Sequence, residues 1–142
     1  MAKLNSNIEI LSDEFSQNSE SMQLFVDAFR DIEKKVLDKE NEAKDKFIKR
    51  GKLLPRERLN LLLDRGAPFL EISSLAGYKM HDDKDGSMAG GGVIAGIGYV
   101  SGIRCIVVAS NSAIKGGTIS PAGLEKTLRI QDIAKENKLP IV

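Results

Sequence analysis

One cysteine and one histidine in 142 residues leave little scope for side-chain metal or redox chemistry. A disulfide framework needs paired cysteines, and a zinc site within one chain needs several Cys or His ligands, so both are excluded. A Cys–His nucleophile pair would have to use Cys105 and His81. Cys105 lies in the run IRCIVVA, which reads as a buried strand, and a thiol in apolar surroundings is inert. An excess of one charge is also missing: 21 Lys and Arg stand against 20 Asp and Glu, a net charge of +1. That balance offers no attraction to nucleic acid or to an anionic membrane surface. Long apolar runs are absent, and Cys105–Ala109 falls far short of the roughly 20 residues needed to cross a bilayer. The opening MAKLNSNIEILSDEF lacks the apolar core of a secretory signal and is rich in acids for a mitochondrial presequence. A cytoplasmic protein is expected, with no metal, nucleic-acid or membrane partner.

What is present suits one ordinary α/β domain. Residues 1–18 show no sustained period and read as a flexible arm. From about Ser19 a helix is signalled, because Met22, Phe25, Phe29, Ile32 and Val36 are spaced to share one face. Ala43 and Phe47 continue that stripe through the charged stretch DKENEAKDK, where Glu40–Lys44 and Glu42–Lys46 are opposite-charge pairs at i,i+4. The simplest reading is one packed face and a solvated charged face, continuing to about Arg50. Residues 1–66 carry 13 basic and 13 acidic side chains, which again argues against nucleic acid. Gly51 suits a left-handed helix end, and Pro55 suits the first position of a short helix stopping by Gly66. Leu59, Leu62 and Leu63 form its expected buried side, and Arg56, Glu57 and Arg58 are expected in surface or interface ion pairs.

Residues 67–142 change in character, and 11 of the chain's 13 glycines lie between Gly77 and Gly123. PFLEISSLAG reads as a short strand and a turn. KMHDDKDGSMA (79–89) reads as a mobile surface loop. It matches only part of a calcium loop, because His81 holds the first ligand position and Gly92 the twelfth. VIAGIGYV and IRCIVVAS are β-branched runs joined by Ser101-Gly102, and so predict a hairpin. Gly96 and Gly98 share a face, as expected where another backbone or a ligand approaches closely or where the sheet bends. The second run is apolar on both faces, as in a sheet covered on both sides. Ser120 and Pro121 open a final helix, with Leu124, Leu128, Gln131 and Ala134 along one side, widened by Ile130 and Ile133. It should end near Asn137. The apolar residues after it read as the entrance to a core strand, so the chain is expected to be a fragment of a longer protein.

The loop Asn111–Thr118 follows a buried strand and precedes a helix. Paired glycines, a helix N-terminus and Lys115 together suit an anion such as a phosphate, a carboxylate or a developing enolate. A plain tight turn remains the alternative. No P-loop occurs, and GGGVIAGIG leads into a strand rather than the helix of a dinucleotide fingerprint.

Three stretches, GKLLPRERLNLLLDRGAPFLEI, GGGVIAGIGYVSGIRCIVVASN and AIKGGTISPAGLEKTLRIQDIAKENKLPIV, together resemble the N-terminal part of the carboxyltransferase (β) subunit of biotin-dependent acyl-CoA carboxylases. GGG-x-I-x-G-I-G and the TISP after the paired glycines are similar to the methylcrotonyl-CoA and geranyl-CoA branch rather than the propionyl-CoA branch. The resemblance implies an incomplete ClpP/crotonase-like β-β-α superhelix over 67–142, preceded by a helical region over 19–66. It also implies transfer of a carboxyl group from carboxybiotin, on a partner carrier domain, to an acyl-CoA. The implied partners are a biotin carboxylase or biotin carrier subunit and further copies of the full-length chain. Asn111, Ala113, Ile114, Lys115, Gly116 and Gly117 would be the CoA-side residues, with Ser112 and Ile114 departing from the family pattern. Backbone N–H pairs stabilise enolate anions in this family, and their S-G-G-A-type motif would begin after Val142, so no catalytic residue is expected here. The carboxyltransferase of a biotin-dependent decarboxylase, or a non-catalytic assembly module, would be the other readings.

Overall fold

The computed structural model describes residues 6–142 other than Asp82, and the backbone but not the side chain of Lys115. Its elements are α1 (Asp13–Glu42), α2 (Lys44–Lys49), α3 (Pro55–Leu62), β1 (Leu70–Glu71), β2 (Val93–Val100), β3 (Ile103–Ser110), a 3-10 turn (Lys115–Gly117) and α4 (Pro121–Glu136). The chain divides into two compact units between Ile32 and Glu33. None of the described helices is long and apolar enough to cross a membrane.

In the first unit, α1 begins ahead of the expected Ser19, so residues 13–18 are helix rather than arm. Ser12 Oγ accepts from the Phe15 N–H at 3.1 Å, and Asp13 and Glu14 fill the acidic first turn. Both features stabilise a helix start. Met22, Phe25 and Phe29 of the expected packed stripe are exposed.

The second unit holds the core. Here α1 buries Val36 and Glu40 and breaks at Ala43 before α2. Gly51 follows with φ +64, as its position required. Pro55 is the first residue of α3, and the Glu57 carboxylate accepts the Leu54 N–H at 2.9 Å. Leu59 is buried while Leu62 is exposed, so α3 packs through Leu59 and Leu63.

β2 and β3 pair antiparallel from Val93↔Ser110 to Val100↔Ile103, and β1 joins the other edge of β2. Ser101 and Gly102 both have positive φ, 52° and 77°, the conformation that matches a two-residue turn to strand twist. The Asp64 carboxylate accepts both turn amides, at 2.8 and 2.7 Å. A Cβ on Gly96 would meet the Leu70 backbone oxygen of β1, the close backbone approach expected there, while one on Gly98 would lie 2.6 Å from the end of the Leu63 side chain.

Both faces of the hairpin are covered. Ile94, Cys105 and Val107 pack with Leu59, Leu63 and Phe69 on one side. Ala95 and Ile106 pack with Ile130 and Ala134 on the other. Each fully buried isoleucine here contributes about 1.5–3 kcal/mol by leaving water. α4 starts at Ser120 and Pro121 and ends at Asn137, as expected, but it faces the sheet differently. Gly123, Lys126, Ile130 and Ala134 are its buried residues, while Leu124 and Leu128 are exposed. After α4 the chain turns back: Ile106 N–H donates to Pro140 O, and Val142 N–H to Ile106 O, both at 2.8 Å. This is a parallel bridge, so the second unit follows a β-β-α order and then returns to the sheet.

The 79–89 loop is anchored rather than merely a surface loop. Asp83 is buried, and its carboxylate accepts from Lys79 N and Met88 N at 3.1 Å each.

Candidate functional site

The loop after β3 meets the end of α1. Asn111 and Ile114, two of the expected CoA-side residues, are buried at 4% and 3% exposure. Ile114 packs with Val36 and Ala89. Asn111 donates its backbone N–H to Gly92 O at 2.8 Å, and its carbonyl accepts from Ile114 N at 3.0 Å. Its side-chain Nδ2 donates to Glu40 Oε1 at 2.6 Å. Both residues therefore point inward and support the loop. Asn111 Oδ1 is buried without a protein partner, an arrangement that costs about 1–3 kcal/mol.

Glu40 is one member of a buried charged group. Arg56 Nε donates to both Glu40 oxygens, at 3.0 and 3.2 Å. The Arg56 Nη atoms reach the Glu71 carboxylate at 2.7 and 3.1 Å, a bidentate pair. Burial pushes the Glu40 carboxyl above its ordinary range, against the pull of Arg56 and Asn111. Burial also opposes the Arg56 charge, yet its bonds to Glu71 and the charge of Glu40 keep the guanidinium pKa above its ordinary value. Arg56 was expected at a surface or an interface; instead it joins α1, α3 and β1 inside the unit.

Ala113 and Gly116 are placed differently. They line a cavity of about 220 Å³ with Ser112, opposite Ala43, Lys46, Phe47, Arg50 and Lys52. A neighbouring hollow of about 460 Å³ shares Phe47, Lys52 and Ser112 and adds Arg58. Lys46, Arg50, Lys52 and Arg58 are exposed. None of these four belongs to a described ion pair. Four cations without acidic partners around two adjoining hollows make an anion-attracting surface. Lys46 was expected to pair with Glu42, and Arg58 to sit in surface or interface ion pairs; Glu42 bonds Lys39 instead. Only Lys46 lies within α2, and no local spacing signals that a loop some sixty residues later lies across from these cations.

Gly116 and Gly117 both sit in left-handed backbone, at φ 66° and 88°. Gly117 N–H donates to Ile114 O at 3.3 Å, so this amide serves the turn. The side chain of Lys115 lies outside the described residues. The N-terminus of α4 is closed by its own serine: Ser120 Oγ accepts from Gly123 N at 3.0 Å and bonds Gly91 O at 3.1 Å. A water-sized space of about 20 Å³ adjoins it.

Lys126 of α4 steadies the triple-glycine turn. It is 4% exposed and donates to Val93 O at 2.6 Å and Gly90 O at 3.4 Å. Burial lowers its pKa to about 8. Gly91 lies against α4 so closely that a Cβ there would stand 2.6 Å from Gly123 N.

Residues 46–142 match the family described as carboxyl transferase domain. Over 140 residues the chain is 41% identical to a probable mitochondrial methylcrotonoyl-CoA carboxylase beta chain of Drosophila melanogaster, covering 98% of this chain and 24% of that one. The beta subunit of P. aeruginosa geranyl-CoA carboxylase is 63% identical, with a TM-score of 0.88 over 97% of this chain and 26% of that one. The transcarboxylase 12S core, at 22% identity, shares the fold with a TM-score of 0.67 over 84% of this chain and 24% of its own. The chain thus spans about a quarter of the length of each of these relatives.

Proposed function

Since the chain belongs to the carboxyl transferase domain family and carries part of its crotonase-like fold, we propose that it forms the CoA-side wall of an acyl-CoA carboxyltransferase. The reaction moves a carboxyl group to an acyl-CoA, and carboxybiotin, carried by a partner, supplies that group. A biotin carboxylase or carrier subunit and further copies of the full-length chain are the partners. The acyl chain belongs to the methylcrotonyl-CoA and geranyl-CoA branch, in view of the 63% identity to the geranyl-CoA enzyme.

The observation that carries the reading is the cavity where Ala113 and Gly116 face Lys46, Arg50 and Lys52. CoA brings a diphosphate and a 3′-phosphate, and Lys and Arg side chains suit phosphate oxygens. The helical region over 19–66 supplies the cations, and the body over 67–142 supplies the backbone wall. Ser112, Ala113 and Gly116 line that wall, and Lys115 and Gly117 of the same turn are the further CoA-side residues of the proposal. Asn111 and Ile114 hold it from behind. No residue described here is assigned a catalytic role.

Calorimetric titration with CoA tests the reading. Lys46→Glu and Arg50→Glu are expected to weaken binding about fivefold each in 0.1 M salt, with the loss shrinking as salt rises. Lys34→Glu, away from the cavity, should change little. Equal affinity in all forms, or no affinity in the unsubstituted protein, would reject the site. Supplied with the biotin carboxylase and carrier partner, ATP and labelled bicarbonate, the full-length chain should carboxylate geranyl-CoA or methylcrotonyl-CoA in preference to propionyl-CoA, whereas residues 1–142 alone should carboxylate neither.

A further inference from the structure

We propose that Glu40 is a positioning residue, whose buried carboxylate holds the Asn111 amide and so fixes the loop 112–117 at its distance from α2 across the cavity. The inference rests on the acyl-CoA reading for its consequence, though not for its geometry. Both walls of the cavity start beside this one contact. Ala43, the first lining residue on the helical side, follows Glu40 by three positions, and Ser112, the first on the loop side, directly follows Asn111. Asn111 Nδ2 to Glu40 Oε1 joins the segment 36–52 to the loop by a hydrogen bond, beside the packing of Ile114 on Val36.

The contact is also rigidly held at both ends. Arg56 grips both oxygens of Glu40 and is itself anchored on Glu71, which leaves the carboxylate no freedom to swing. Asn111 is fixed through its own N–H to Gly92 and its carbonyl to Ile114. The amide orientation follows from charge: Nδ2 must face the carboxylate, because Oδ1 there would oppose it. Oδ1 is then left buried without a protein partner. An apolar residue would avoid that penalty, so the amide is better explained by where it places the loop than by stability.

The test uses Asn111→Ala, Glu40→Ala and Glu40→Gln in the complete carboxylase, with two measurements. Hydrogen exchange without ligand should speed up at loop amides 112–117 in both alanine variants by about tenfold or more, while β2 and β3 stay protected. Acyl-CoA KM should rise about tenfold in the same variants with kcat nearly unchanged, since a displaced wall weakens binding without touching the chemistry. Glu40→Gln keeps an acceptor for the amide and should restore most of both. A purely structural role would lower the active fraction, and so kcat, without moving KM. Should Glu40→Ala fail to fold, Asn111→Ala still decides, because it leaves the Glu40–Arg56 pair intact. Unchanged loop exchange in Asn111→Ala, or changed exchange with unchanged KM, overturns the proposal. Lack of acyl-CoA affinity in the unsubstituted protein would instead overturn the acyl-CoA reading, and loop exchange would still decide the clamp.

Discussion

Lys126 is the residue whose surroundings depart most from expectation. Its ammonium is buried under α4 and bonds two backbone carbonyls, and burial lowers its pKa from 10.5 to about 8. A lowered lysine pKa means that the unfolded chain binds the proton more tightly. Stability from this group therefore rises as pH climbs from about 8 towards 10.5, and the burden of the buried charge is fully present below 8. Unfolding of the native protein and of Lys126→Met, followed in urea at pH 7 and pH 9.5, should show the native protein gaining on the variant by roughly 1–3 kcal/mol. A constant difference would reject this account. Arg56 invites a harsher test. Arg56→Leu leaves Glu40 buried beside Glu71 without the guanidinium that bonds both, which should destabilise the fold by about 3–5 kcal/mol. A thermal melt indistinguishable from the native one would contradict the buried network. Arg56 was expected to form ion pairs and does, but the burial of Lys126 and Glu40 was not legible beforehand, because lysine and glutamate are almost never fully buried without a partner. A sequence does not announce such partners: Glu40 and Asn111 are 71 positions apart.

At the scale of elements, the hairpin was legible and the helix faces were not. β2 and β3 run over the same residues that the β-branched runs and Ser101-Gly102 implied, because strand, turn and register are local properties. α4 was bounded correctly by Ser120, Pro121 and Asn137, since caps are local too. Its buried side was only partly assigned: Ile130, Ile133 and Ala134 pack on the sheet as expected, but Leu124 and Leu128, taken to face inward, are exposed. Gly123 and Lys126 let the helix approach the triple-glycine turn. α1 was begun too late because its apolar spacing starts at Met22, whereas its cap is Ser12. Two substitutions probe the α4 junction. Ser120→Ala removes the acceptor of the Gly123 N–H and should cost about 1 kcal/mol. Gly91→Ala places a Cβ against the α4 backbone at φ +67 and should prevent stable folding, which circular dichroism would register. A normal melt for Gly91→Ala would mean that the turn yields more easily than these distances allow.

Over the whole molecule, fold and family were legible because three separated stretches agreed in order and spacing. The site was legible only in part. The loop was located, yet two of its six expected residues turn inward, and the cations facing the other side come from α2 and the segment after it. The hydrogen bond that joins these parts also has a consequence for kinetics. The β2–β3 hairpin closes over a two-residue turn, while Glu40 and Asn111 must find each other across 71 positions. Closing long loops is slow, and contacts of this kind form late on the way to the native state. The clamp should therefore act as a latch on the exit path. Asn111→Ala is expected to quicken unfolding and leave the refolding rate nearly unaltered, whereas Gly102→Val, in the turn, should slow refolding itself. Stopped-flow chevrons would separate the two limbs, and a slowed refolding limb in Asn111→Ala would place the clamp early instead.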